Sequence, residues 1–448
     1  MYSSFTLQEN FLDAPYCRLT PAHYEAVRSL LPRVYRCSVS AQTSIVHCIC
    51  AALPGGPQQQ LQYLVRHPCA DMNHLCVNED LYPHMRGDTS AEIERVGLSV
   101  YRRSEASTRI FWESLTPQQV GLAAFLPPDR RVRQLVAELG GLFLALRPRL
   151  LLSWHPVGIP PLDAALWAAL LVGVPHILVR FNSISPLSGA DASSMPPWLT
   201  EQMRFLVREE RMHLCANAYA GAKSIVQWLD LGDKKISIIP NGFDSCRGTC
   251  TVAEQADFRA VHGIPAEAPL LAGVFRLNEG KNIQDFLRIA QNLAARIPDL
   301  YILHAGGGPE SRCFHELLGA SGLTKKMRHL GPVGQGTVDS VLSCADVLLG
   351  TSVQEGLSNV WLEAMFHRAV PVVADAGDAL RVIPYGKCGF VHAQGDVPGM
   401  TESLYVLLKN ASVRARMAEA GRQRVMQNYS LATYAATMQQ KIRESLER

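Results

Sequence analysis

The chain has 448 residues, of which 43 are Lys or Arg and 40 are Asp or Glu, for a formal net charge of +3. That length exceeds one ordinary core and points to two or three α/β-sized domains, while so balanced a charge excludes a global field for gripping nucleic acid. The 12 cysteines are scattered, and their nearest pairs (Cys48 with Cys50, Cys69 with Cys76, Cys246 with Cys250) lack the repeated C-x-x-C brackets of a zinc site, so they read as reduced, structural thiols of a cytoplasmic protein.

The first residues, MYSSFTLQENFLDAPYCRL, have neither a basic start nor an apolar core, so no secretory signal is expected. Residues 1–40 stand as an N-terminal extension without an assigned role. From about residue 41, short apolar runs alternate with longer periodic segments: TSIVHCICAA, PQQQLQYLVRH, RLLLSWH, PLDAALWAALLVG and PHILVRF. Such alternation predicts a parallel, doubly wound sheet. The most membrane-like stretch, Leu162 to Val179, is interrupted by Asp163, Pro175 and His176. It is predicted to be helix, turn and buried strand, because a spanning helix needs roughly 20 uninterrupted apolar residues.

After Ile236-Ser-Ile-Ile-Pro-Asn-Gly-Phe-Asp244 and a polar stretch through Ala268, the rhythm starts afresh. LLAGVFRL, LYILHAGGG, DVLLGTS and AVPVVAD are predicted strands, separated by helical patterns over 282–296, 338–345 and 358–367. The tail from Ser412 reads as two helices broken near Asn428-Tyr-Ser430. The expected fold is α/β: two facing Rossmann-like, doubly wound domains with a cleft between them, over 41–243 and 244–424, with 425–448 as a helix returning to the first. Ligands of such sheets lie beyond the carboxyl ends of the strands, so functional residues are sought just after the apolar runs.

The richest of those places is Glu355-Gly-Leu-Ser-Asn-Val-Trp-Leu-Glu363. Ser358 is a predicted N-cap that leaves the amides of Asn359, Val360 and Trp361 open, and a helix start of this kind favours a phosphate. Glu355 falls in the loop at its mouth and Glu363 more than a turn inside the helix, two carboxylates suited to hydroxyl recognition. Taken singly, each reads equally well as an ordinary loop or surface acid. Arg276 and Lys281 follow a strand, where two cations can neutralise a diphosphate and stabilise it as it departs; a solvated edge is the plainer alternative. Gly308 and Pro309 end a glycine loop that lets a backbone approach a base or ribose or simply makes a turn, and Gly55 and Gly56 make a similar loop after the first strand. His155 closes another apolar run, as a cleft residue or a satisfied structural histidine.

The stretch EGLSNVWLEAMFHRAVPVV resembles the E-G-x-x-N-x-x-x-E-A-M signature and following P-V-V strand of the retaining glycosyltransferases of family 4 (glycosyl transferases group 1), which have the GT-B fold. Further landmarks arrive in the family's order over most of residues 41–430: a G-G loop at Gly55 and Gly56, I-P-N-G-x-D at 239–244, an R-to-K spacing at Arg276 and Lys281, G-x-G-P at 306–309, and Ala345-Asp346 before the signature. The resemblance implies transfer of a sugar, with retained configuration, from a nucleotide diphosphate sugar, UDP-sugar being favoured over GDP-sugar. It implies that Glu355 contacts the donor sugar, Glu363 the ribose, Arg276 and Lys281 the diphosphate, and Gly356, Leu357, Ser358, Asn359 and Val360 the donor at the helix start. One departure stands out: Asn182 falls where many members carry a strand-end histidine, and an amide cannot titrate. Arg180 is a compensating anion contact in this reading.

No Asp-x-Asp triplet occurs in the chain, so neither metal nor cofactor is expected. The family's frequent role in surface polysaccharide assembly implies a saccharide or lipid-linked acceptor. Arg130-Arg131-Val-Arg133 and the mixed-charge helix over 201–211 are then either a peripheral contact with the inner face of the membrane or solvated faces. A sugar-nucleotide epimerase and a catalytically degenerate nucleotide-sugar binder are the alternatives.

Overall fold

The computed structural model describes residues 4–32, 43–50, 60–61, 63–64, 72–79, 99–101, 105–155, 160–182, 197–232 and 235–447. The chain divides into two compact units, one of Met1–Leu187, Asp191–Ile239 and Ala435–Arg448, the other of Pro240–Tyr434 with Ser188–Ala190.

In the first unit seven strands form one sheet: β1 (Thr43–Cys50), β2 (Met72–Glu79), β3 (Ser99–Tyr101), β4 (Leu150–His155), β5 (His176–Phe181), β6 (Met212–Ala216) and β7 (Ser237–Ile238). Their order is β3-β2-β1-β4-β5-β6-β7, all parallel, which places the topological switch between β1 and β4. Between β4 and β5 runs a helix, Pro160–Val172, whose residues from Ala164 to Leu171 are all at most 2 % exposed. Gly173, at φ 82°, makes the turn into β5. The expected helix, turn and buried strand are therefore present, and among the described residues no helix is long and apolar enough to cross a membrane.

The extension is part of this unit's core. Within its helix Ser4–Leu12, Phe11 is fully buried and meets Phe111 and Trp112 edge-on, at 5.7 and 5.5 Å. Buried Arg133 donates to the carbonyl oxygens of Leu12, Ala14 and Pro127, and Arg130 pairs with Asp13 and Glu9. Two of the three arginines read as a membrane-docking run thus face inward or are neutralised by the chain's own carboxylates. The mixed-charge segment behaves likewise: Arg204 bonds Glu201, Arg208 pairs with Asp230, and Glu209 with Arg28.

The second unit holds β8 (Leu270–Val274), β9 (Tyr301–Ala305), β10 (Met327–His329), β11 (Val347–Gly350), β12 (Val370–Ala374) and β13 (Phe390–His392). Their order, β10-β9-β8-β11-β12-β13, is again parallel with one switch, between β8 and β11. All four predicted strands of this half are present. The predicted helices are Ile283–Arg296, Gln335–Cys344 and Asn359–Phe366; the second starts three residues before its apolar pattern does, with extended Gly334 at its cap. The polar stretch before β8 also contains a helix, Val252–Val261, opened by a Thr251/Glu254 capping box whose T-x-x-E spacing was legible. The tail is two helices, Ala411–Asn428 and Leu431–Leu446, broken where expected.

The loop after β9 lies flush on the loop after β8. Gly306 sits at φ 138°, and a Cβ there would fall 1.8 Å from the Phe275 carbonyl oxygen; one on Gly308 would fall 2.3 Å from that of Leu277. Amide bonds from Leu277 to Gly307 and from Glu310 to Leu277 close the seam. Beneath it, fully buried His304 faces His329 with their Nδ1 atoms 2.9 Å apart, and packs on Phe275 and Phe314. Burial, reinforced by His329, depresses the His304 pKa from 6.5 to about 3.

Two outcomes are expected. Gly306→Ala, forced into a conformation and a space that admit no side chain, lowers stability by about 2 kcal/mol or more in chemical denaturation. Between pH 6.5 and about 3 the unfolded chain protonates residue 304 and the folded chain does not. Stability therefore falls as pH falls through that window, by up to about 1.4 kcal/mol per unit, with no contribution above it. Melting curves of the wild type and His304→Leu check this; the variant shows a shallower acid slope.

Candidate donor site

The second unit's switch point gathers the predicted donor residues. After β8 the chain passes Arg276 and a single 3₁₀ turn, Glu279–Lys281, to Asn282, which at φ 48° caps the next helix by accepting from the Asp285 amide. After β11, Thr351 donates its hydroxyl to the carbonyls of Lys281 (2.8 Å) and Asn282 (3.1 Å), and the Val353 amide bonds the Gly280 carbonyl at 2.9 Å. Stitched together in this way, the loops bring the Lys281 ammonium into close ion-pair contact with the Glu355 carboxylate. Both side chains keep a minority of their surface open, 19 % and 14 %. Arg276 is exposed and makes no ion pair among the described residues. The predicted cation pair therefore divides: one cation is held by an acid, the other is open to an anionic ligand.

The Glu355-Gly356 turn is backed by Gly377, at φ 60°, where a Cβ would lie 2.2 Å from the Gly356 oxygen and 2.3 Å from the Glu355 oxygen. The Asp378 amide donates to that same Gly356 carbonyl. Leu357 follows, buried, with its carbonyl 3.5 Å from the Asn241 Nδ2. Asn241 also donates to the Asn359 side-chain carbonyl at 2.8 Å, so Asn359 serves first to hold the Pro240-Asn-Gly loop against the helix start. Ser358 is at the N-cap position in extended geometry, but its hydroxyl makes no cap bond. The Trp361 amide turns back to the Ser358 carbonyl at 3.3 Å, so the expected trio of open amides loses a member. Val360 stays partly exposed at the first turn, and Pro309 is exposed beyond Gly308.

Glu363 is where the helix pattern put it, inside the helix, yet it is only 6 % exposed. Burial raises its pKa, and Arg247 pulls it back down. The Arg247 guanidinium lies 3.3 Å from the Glu363 carboxylate and makes a closer contact with Asp339. Gln335 donates to Glu363 at 3.1 Å, His367 Nε2 lies 3.2 Å from Asp339, and His367 Nδ1 lies 2.8 Å from the Ser343 hydroxyl. Arg247, Gln335, Asp339 and His367 escaped the sequence reading. His367, four residues after Glu363, shares its helix face and could have been found; the others come from separate elements.

In the first unit His155 ends β4 and pairs with Phe181 of β5, with Asn182 immediately after. Two adjacent strands thus end on these residues. Asn182 donates to the Arg180 carbonyl, and its own carbonyl accepts from Asn217. Arg180 is fully buried, bonded to the Ile239 carbonyl and set against the Trp154 ring, so it is a tie within the sheet and not the expected anion contact. Gly55 and Gly56 lie outside the described residues.

Residues 254–424 match the family described as Glycosyl transferases group 1. Among relatives, the α-D-kanosaminyltransferase of Streptomyces kanamyceticus is 28 % identical over 189 residues, 42 % of this chain and 49 % of that one. The lipopolysaccharide core biosynthesis glycosyltransferase LpsE of Rhizobium meliloti is 27 % identical over 173 residues, 38 % of this chain and 49 % of that one. The chain thus spans about half the length of these relatives. The crystal structure of Anabaena HepE in complex with UDP and glucose superposes with a TM-score of 0.71 at 17 % identity, over 90 % of this chain and 100 % of that one. Residues 254–424 therefore carry a glycosyl transferases group 1 domain, in a chain whose two Rossmann-like units are those of the GT-B fold.

Proposed function

We propose that this chain is a retaining, metal-independent glycosyltransferase that moves a sugar from a UDP-sugar to a hydroxyl of a lipid-linked saccharide in surface polysaccharide synthesis. The observation that carries the donor half is the Lys281–Glu355 pair, seated at the carboxyl ends of β8 and β11 with Arg276 beside it on the same loop. A strand switch point with two cations suits a diphosphate, and a carboxylate next to them suits sugar hydroxyls. Binding of UDP and glucose by HepE supports the choice of base, and the name of LpsE supports the acceptor class.

In the proposed reaction the bond from the anomeric carbon to the diphosphate oxygen breaks as the acceptor oxygen bonds to that carbon from the same face. The acceptor's proton passes to an oxygen of the departing phosphate. Arg276 and Lys281 stabilise the charge that grows there. Glu355 positions the sugar and Glu363 accepts from the ribose. The absence of an Asp-x-Asp triplet supports a mechanism in which these side chains do what a metal does elsewhere. Asn182 favours one competing reading, a protein that binds the nucleotide sugar without turning it over.

Thermal-shift measurement is expected to show stabilisation by UDP exceeding that by GDP, of about 2.7 kcal/mol at a hundredfold excess over Kd. Radiolabelled UDP-sugar is expected to yield transferred or hydrolysed sugar in the presence of chelator, with Lys281→Ala and Glu355→Gln each reduced by roughly 100-fold or more. Indifference to every nucleotide removes the proposal. Nucleotide binding without turnover leaves the binder, and conversion of the donor sugar without an acceptor leaves an epimerase.

A further inference from the structure

Glu363 poses a physical problem for any role in hydroxyl recognition. A carboxylate this deeply buried is biased toward its neutral form, and a neutral acid is a poorer acceptor. The partners of Glu363 come from two other elements: Gln335 from the helix Gln335–Cys344, and Arg247 from the 3₁₀ turn Ser245–Arg247. Arg247 is itself held on three sides. It lies over the Phe243 ring at 5.5 Å, contacts Asp339 closely, and reaches Glu363 at 3.3 Å. Asp339 is fixed in turn by His367, which the Ser343 hydroxyl orients.

We propose that Arg247 is a positioning residue, holding the Glu363 carboxylate in one orientation for the ribose hydroxyls of the donor. This rests on the glycosyltransferase reading above. A planar guanidinium meets two carboxylates from two helices in a fixed fork geometry, which a lysine's freely rotating ammonium does not reproduce. Asp339, His367 and Ser343 form the frame that keeps the guanidinium in place, and the hydroxyl-facing work is done by Glu363 alone.

The test uses the full chain and isothermal titration with UDP and 2′,3′-dideoxy-UDP, which differ only in the hydroxyls at issue. The wild type is expected to prefer UDP by roughly 10- to 100-fold, and Glu363→Gln to lose that preference. Arg247→Gln is expected to bring the ratio to within about threefold of unity while dideoxy-UDP binds within about threefold of wild type, and Arg247→Lys to fall between. An Arg247→Gln protein that keeps the wild-type ratio, or weakens for both nucleotides alike, overturns the positioning role. Should that variant not fold, the Arg247→Lys ratio decides, an unchanged ratio being fatal. A wild type that binds UDP and dideoxy-UDP equally defeats only the Arg247–Glu363 assignment. One that binds neither UDP nor GDP defeats the proposed function as a whole.

Discussion

Two strands that are neighbours in space but far apart in the chain, β8 and β11, set up everything in the candidate site. Their following loops would otherwise diverge to opposite sides of the sheet. They are held together at one seam, where the Thr351 hydroxyl and the Val353 amide satisfy carbonyls of residues 280–282. That seam depends on Asn282 taking a left-handed conformation, which asparagine tolerates better than most side chains because its amide bonds locally. From it follow the meeting of Lys281 with Glu355, 74 residues apart in sequence, and the support of the Glu355-Gly356 turn by a Gly377 that has no room for a side chain.

The same economy governs the helix start. No hydroxyl caps it; the approach of Asn241 to Asn359 and Leu357 defines it instead. The residues that shape the site are thus of two kinds. Glycines 306, 308 and 377 permit backbone to lie on backbone, and the polar side chains of Asn241, Thr351 and Arg247 tie segments that share no secondary structure.

Much of this was legible in sequence. Strand and helix periods located all four second-unit strands that were named, the buried helix before β5 and the break at residues 428–430, because apolar period is set by the same burial that stabilises the element. Glu355 and Glu363 stood out through the signature they share with the resembled family, and Arg276 and Lys281 because they follow a strand of a doubly wound sheet. What was missed shares a cause. Arg247 and Glu363 are 116 residues apart, and no local pattern reports which long-range partner a buried carboxylate takes. Serine at 358 carried a strong local expectation that a tertiary contact overrode. Arg130, Arg133 and Arg180 looked like surface or ligand-facing cations, and the structure spends them on carboxylates and carbonyl oxygens of the first unit.

The charge tally of the second unit's site has a direction. On the loop of Lys281 there are two cations, counting the exposed Arg276, with one acid, Glu355, against Lys281; around Arg247 there is one cation to two acids, Asp339 and Glu363. One end is cation-rich and the other acceptor-rich. The proposed donor, anionic at one end and hydroxylated at the other, would meet matching surroundings in only one of its two orientations.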